Sequence, residues 1–289
     1  MPLPVCYLNG NYLPLSNARV SPLDRAFLFG DAVYEVIPVY GGRPFRLREH
    51  LDRLTRSLSG IRMLPPLSHQ EWQQVCTTLI ARNGGGDQYL YMQVTRGEEY
   101  GRSHAWPDGL EPTLFAYATA LEPLSAEILQ RGVSALTQPD TRWARRDIKS
   151  TALLANVLLK RLAVDVGAYE TIMLERGELT EGSSTTVHVI ARGSIYTPPN
   201  GPHILPGTTR DVVSELALRL GLPSLAVRVT ETELRAADEI WIAFSTRGIL
   251  PVTVLDGKPV GDGAPGPLFR RMHAAFLDYI GSLAGTPAL

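Results

Sequence analysis

AVYEVIPVYGGRPFRLREHLDRLTRSLSGI, residues 32–61, reads as a strand, a tight turn and a helix in succession. Residues 32–40 carry the β-branched and aromatic bias of a pleated, half-buried surface. Gly41-Gly42 supplies the positive φ angles of a hairpin turn. From there the period changes, and Leu47, His50, Leu51, Leu54, Leu58 and Ile61 recur at helical spacing. The mixture continues outward. A helix is expected from Ser68 to Arg82, stopped by Gly84-Gly85-Gly86, with strands at Tyr89–Thr95 and Pro112–Thr119. Leu121–Ser125 (LEPLS) reads as a crossing between two domains. Beyond it come a strand near Val133–Gln138 and a helix over Thr151–Val166 with Leu154, Leu158 and Leu162 on one stripe. The segments Glu170–Glu175 and Thr186–Ala191 read as strands around a Gly- and Ser-rich turn. A proline-rich loop then leads to a helix over Thr209–Leu220, a strand at Ile240–Phe244 and a final helix over Pro267–Tyr279. The pattern predicts an α/β protein of the α+β type. Its expected parts are a smaller domain, residues 1–120, and a larger one, residues 121–289.

With 28 basic and 29 acidic residues the net charge is -1, which gives no reason to expect nucleic acid or an acidic membrane surface as partner. Cys6 and Cys76 are too few for a disulfide framework or a zinc site. The opening MPLPVCYLNG lacks the features of a signal peptide, and no apolar run approaches the roughly 20 residues that span a bilayer. A cytoplasmic location is expected. The histidines show no HExxH spacing, and there is no GxSxG elbow, P-loop or GxGxxG motif.

Several residues have the chemistry of a site, each with an ordinary structural alternative. Lys149 lies in RRDIKSTALLANVLLK, where a helix N-terminus and the like charges of Arg145 and Arg146 would favour a neutral, nucleophilic amine. The same pattern also describes a surface lysine. Gly207-Thr208-Thr209 opens a helix and fits a phosphate cradle or a plain N-cap. Glu181, in Glu181-Gly182-Ser183-Ser184, is expected on a tight turn, where it could face a pyridine nitrogen or merely solvent. Ser245-Thr246 offers phosphate hydroxyls or turn formers. Arg53 falls on the flank of its helix beside His50, suited to an inward anion or to snorkelling. Arg102 and His104 in GRSHAWPDG could clamp a carboxylate or form a polar loop face, and Tyr34 could be a core aromatic with an exposed hydroxyl.

Taken together, DRAFLFGDAVYEV, EHLDRL, QVTRG, DIKSTALLAN, TEGSSTTV, ILPGTTRDVV and FSTRGILPV resemble, in order, the class IV (fold type IV) pyridoxal-phosphate aminotransferases. The resemblance implies a two-domain fold with pyridoxal 5'-phosphate between the domains. It implies Lys149 as the Schiff-base lysine and proton carrier, and Glu181 as the partner of the pyridine nitrogen. Arg53, Gly207, Thr208, Thr209, Ser245 and Thr246 are implied around the phosphate. Thr208 stands where the family often has Ile, so its backbone N–H is the implied contact. Within the family the likeness is to the D-amino acid aminotransferases, which exchange an amino group between a D-amino acid such as D-alanine and a 2-oxo acid such as 2-oxoglutarate. There Tyr34, Arg102 and His104 would bind the substrate carboxylate, with the Arg-x-His pair supplied across a homodimer interface. Branched-chain and (R)-amine aminotransferases and aminodeoxychorismate lyases are the rivals within the family, and a non-catalytic cofactor binder is the rival outside it. Phe244 and Arg247 replace smaller residues common in the family, which puts pocket size in question rather than the chemistry.

Overall fold

The computed structural model describes residues 1–285, and the chain divides into two compact units. Met1–Glu122 forms the first together with a detached strip, Ile148–Ala152, and Pro123–Asp147 with Leu153–Leu283 forms the second. The strip that carries Lys149 thus belongs to the unit built from the N-terminal residues.

The first unit holds β1 (Pro2–Leu8), β2 (Asn11–Pro14), α1 (Arg25–Phe29), β3 (Ala32–Tyr40), β4 (Arg43–Pro44), α2 (Leu47–Gly60), α3 (His69–Arg82), β5 (Gln88–Thr95) and β6 (Leu114–Ala120). Its six strands make an antiparallel sheet in the order β2-β1-β6-β5-β3-β4. The alternation along β3 sends Val33, Glu35, Ile37 and Val39 inward. The apolar three pack in one core with Leu51, Leu54 and Leu58 of α2 and Trp72 and Leu79 of α3. Each such side chain contributes roughly 1.5–3 kcal/mol by leaving water. Ser68 caps α3, and Glu71 returns the bond to the Ser68 N–H.

The second unit contains α4 (Ala126–Arg131), β7 (Val133–Pro139), α5 (Leu154–Asp165), β8 (Glu170–Glu175), β9 (Glu178–Gly182), β10 (Thr186–Ala191), β11 (Ser194–Thr197), α6 (Thr208–Arg219), β12 (Ser224–Ala226), α7 (Glu231–Arg235), β13 (Glu239–Phe244), β14 (Gly248–Leu255), β15 (Lys258–Pro259) and α8 (Pro267–Gly285). Its mixed sheet runs β12-β11-β10-β13-β14-β7-β8-β9, with β15 paired to β14. The β11–β12, β14–β7 and β7–β8 pairs are parallel. Among the described residues no helix is long and apolar enough to cross a membrane.

Three expectations change. The helix expected from Thr151 begins at Leu154, because residues 149–151 are bonded to β3 instead. The Leu154, Leu158 and Leu162 stripe lies outside: Leu154 is 72% and Leu158 58% exposed, and α5 packs through Leu159 and Ala163. Glu181 is not on a tight turn but near the end of β9, buried. The turn follows it, at Ser183-Ser184.

Candidate active site

In the first unit, β3 holds the strip Ile148–Ala152 as it would a short strand. The Tyr34 N–H donates to the Lys149 carbonyl at 3.0 Å and the Thr151 N–H to the Ala32 carbonyl at 3.0 Å. The Lys149 N–H donates to Ser57 Oγ of α2 at 3.1 Å. With the backbone fixed on both sides, the Lys149 Nζ stands 4.3 Å from the centre of the Tyr34 ring. Tyr34 in turn stacks on Tyr91 of β5 at 5.6 Å. The helix dipole expected at Lys149 is therefore not there, since no helix starts at that point. Arg145 and Arg146 are also turned to other work: Arg145 pairs with Asp147 at 2.9 Å and Arg146 with Glu175 at 3.0 Å. The backbone at Lys149 is held by β3 and by Ser57 instead.

Arg53 is inside, as its place on the helix flank allows. Its Nε donates to Glu35 Oε1 at 2.7 Å and its second terminal nitrogen to Oε2 at 2.8 Å. His50 Nδ1 lies 2.7 Å from Glu35 Oε2. Burial opposes ionisation of Glu35, but the Arg53 charge and the hydrogen bonds from Arg53 and His50 outweigh it and hold the carboxyl far below the usual glutamate range. Burial, aided by the charges of Arg53 and Lys149, pushes the His50 imidazole down despite the pull of Glu35. A neutral His50 then donates from Nδ1 to the carboxylate. Sequence reading passed over Glu35, yet a carboxylate on the core face of a strand needs a cationic partner, and Arg53 is the one a helix turn away from His50.

Arg102 and His104 lie in the loop after β5, both exposed. The Arg102 guanidinium sits 5.2 Å from the Phe29 ring centre and the His104 ring 5.5 Å from it.

The second unit gathers a different set. The Glu181 carboxylate accepts from a terminal Arg142 nitrogen at 2.6 Å and from the Leu205 N–H at 3.2 Å. Arg142 also forks onto Asp140, with bonds of 3.0 and 2.7 Å, and Thr180 donates to the same carboxylate at 2.8 Å. Burial raises the Glu181 carboxyl above its ordinary value, and Arg142 and the Leu205 N–H pull against it. Asp140 and Arg142 are functional candidates that sequence reading missed, although the Asp-x-Arg spacing in DTRWARRD marks a local bidentate pair.

Leu205, bonded to Glu181, leads directly into Gly207, the N-cap of α6, where no side chain caps the helix. A Cβ at Gly207 would lie 2.6 Å from Thr186 Oγ1, so only glycine lets the strand and the helix start approach this closely. Thr208 and Thr209 are buried in the first turn. The acid and the helix N-terminus are thus one structure within the unit. An uncapped N-terminus with two hydroxyls suits a phosphate, and a buried carboxylate with an arginine behind it suits a protonated ring nitrogen. Ser245 and Thr246 occupy the turn between β13 and β14, next to Phe244 and Arg247.

Comparison with known proteins agrees with this chemistry. Residues 32–255 match the profile of the family Amino-transferase class IV, and the chain belongs to that family. It is similar to the D-alanine aminotransferase of Bacillus licheniformis, 40% identical over 94% of this chain and 95% of that protein. Those of Listeria monocytogenes serotype 1/2a (strain 10403S) and Staphylococcus aureus (strain MSSA476) are 37% and 39% identical, over 96% of this chain and 96% and 98% of theirs. Among solved structures it is similar to the branched-chain amino acid aminotransferase from Escherichia coli, with a TM-score of 0.89 at 26% identity over 96% of this chain and 94% of that one. The T.th. branched-chain amino acid aminotransferase, solved with pyridoxamine 5'-phosphate, gives 0.89 at 26%, over 97% and 95%. The fold is therefore that of the fold type IV aminotransferases, and the chain is an aminotransferase.

Proposed function

We propose that this chain is a D-amino acid transaminase that uses pyridoxal 5'-phosphate to move an amino group between a D-amino acid, D-alanine among them, and a 2-oxo acid such as 2-oxoglutarate. The loop that presents Arg102 and His104 together beside Phe29 carries the D-specific part of this reading. The D-alanine aminotransferases at 37–40% identity support it. The solved branched-chain enzymes, at 26%, stand further off.

When bound, pyridoxal phosphate supplies an aldehyde carbon for the amino group and a ring that accepts an electron pair from the substrate. Lys149 would hold it through its amine. The same amine would take the substrate α-proton and return it, acting as base and then acid. Glu181 would keep the ring nitrogen protonated, and Arg142 and the Leu205 N–H hold Glu181 in place. Gly207, Thr208 and Thr209, with Ser245, Thr246 and Arg53, would bind the phosphate. Tyr34, Arg102 and His104 bind the substrate carboxylate and so choose which α-substituent faces Lys149.

We infer a homodimer from the exposed apolar stripe of α5, since an uncovered row of leucine and valine marks an interaction surface. We place the protein in the cytoplasm, in keeping with two buried, free cysteines. A coupled assay with 2-oxoglutarate and, in parallel, D-alanine, L-leucine or an (R)-amine tests the reading. Turnover of D-alanine is expected, and turnover of L-leucine alone would overturn it.

A further inference from the structure

We propose that Arg25 is a positioning residue for substrate binding: it holds the loop that carries Arg102 and His104 and keeps Glu99 from neutralising Arg102. The proposal rests on the reading of Arg102 and His104 as the carboxylate clamp. Arg25 opens α1, whose N-cap Asp24 accepts from the Ala26 N–H at 2.8 Å and from the hydroxyls of Thr95 and Thr113 at 2.8 and 2.7 Å. Asp24 thereby fixes α1 to the end of β5 and to the residue just before β6.

The Arg25 guanidinium is buried and reaches four acceptors. Its Nε donates to Asp31 at 3.0 Å. One terminal nitrogen donates to the Glu99 carboxylate and to the Ser103 carbonyl at 2.8 Å, and the other to the His104 carbonyl at 3.2 Å. The two carbonyls belong to the clamp histidine and to the residue between the clamp pair. Arg25 and Arg102 both lie against Phe29, at 4.7 and 5.2 Å from the ring centre. The backbone adds two bonds, from the Arg25 N–H to the Gly97 carbonyl at 2.9 Å and from the Glu99 N–H to the Leu23 carbonyl at 3.3 Å. The stem is closed at Gly97, where a Cβ would lie 2.0 Å from the Glu111 carbonyl oxygen. Arg96 shares Asp31 with Arg25, at 2.7 Å, and covers Trp106 at 3.9 Å.

The charge arrangement gives the loop its second property. Glu99 lies three residues from Arg102 and is spoken for by Arg25. Among the described residues no carboxylate pairs with Arg102. Remove Arg25, and a flexible loop holds an acid and a cation three residues apart, each without another partner. Glu99 then competes with the substrate carboxylate for Arg102.

Steady-state kinetics of the loaded enzyme tests this with Arg25→Gln, Arg25→Lys, Glu99→Gln and the double variant Arg25→Gln/Glu99→Gln. Arg25→Gln is expected to raise KM for both amino acid and 2-oxo acid by about 10-fold or more, the scale of losing a charge-assisted contact, with kcat nearly unchanged. Arg25→Lys, which keeps the charge opposite Glu99 but not the fork, should raise it less. Removing Glu99 from the Arg25→Gln enzyme should recover most of the KM. A purely structural role predicts the opposite, because the double variant has lost two anchors. Hydrogen exchange over residues 99–106 should quicken in every variant that lacks Arg25, an outcome read without turnover. An unchanged KM in Arg25→Gln, or a KM no better in the double variant, overturns the proposal. Should the wild type turn over L-leucine and not D-alanine, the D-specific reading fails while the same KM comparison is made with L-leucine.

Discussion

Arg53 grips Glu35 with two donors, Nε at 2.7 Å and a terminal nitrogen at 2.8 Å, and both side chains are buried inside the first unit. An ion pair of this kind is costly to form and costlier to break, because the survivor is left charged and dry. Glu35→Gln should therefore destabilise the protein by about 3–5 kcal/mol, measured by chemical denaturation at pH 7. The pH dependence has a definite sign. Glu35 titrates in the folded protein below its unfolded value, so its contribution is complete above roughly pH 4–5 and is lost as the pH falls further. Below pH 4 the gap between wild type and Glu35→Gln should narrow, and a constant gap would refute the assignment.

Lys149→Ala should abolish the cofactor adduct that borohydride traps, read as the loss of a mass increment on the peptide containing residue 149. Transamination should fall by at least about 10³-fold, within the range expected for loss of a positioned acid–base. An adduct persisting on Lys160 or Lys258 would count against the site.

Glu181→Gln keeps the shape of the side chain and removes its charge. Arg142 retains its fork on Asp140, so the fold should survive, as circular dichroism will show. Activity should drop by about 10²–10³-fold, the scale of removing one preorganised electrostatic partner. A drop in cofactor content with normal activity per bound cofactor would point instead to a binding role.

The α5 stripe predicts a change in assembly without a change in fold. Leu158 is 58% exposed in the single chain, so Leu158→Glu should alter its intrinsic stability by no more than about 0.5 kcal/mol. Sedimentation should nevertheless show the proposed dimer shifting toward monomer. Activity should fall with it, if Arg102 and His104 serve the neighbouring subunit.

Local periodicity made much of the first unit legible. β3, the Gly41-Gly42 turn and α2 follow from alternation, positive φ and leucine spacing within a few residues of one another. The helix start expected just after Lys149 is the instructive failure. Ser150, Thr151 and the leucines after them have the pattern of a helix start, and only bonds to residues more than a hundred positions away, at Ala32 and Tyr34, draw that segment against β3. Long-range pairing of this sort leaves no periodic trace. The α5 stripe misled for a related reason, since periodicity reports that a face is apolar but not what covers it. Glu181 and Arg142 were half legible: the acid stood in a recognisable motif, whereas its arginine became a partner only when β7 and β9 were brought into one sheet.

The detached strip Ile148–Ala152 also bears on biosynthesis. A ribosome that has released the first 122 residues has delivered every strand of the N-terminal sheet but not the segment that β3 binds along its free side. That unit stays unfinished for another thirty codons, and a fragment cut after Glu122 would expose an adhesive β3 with no lysine to show for it.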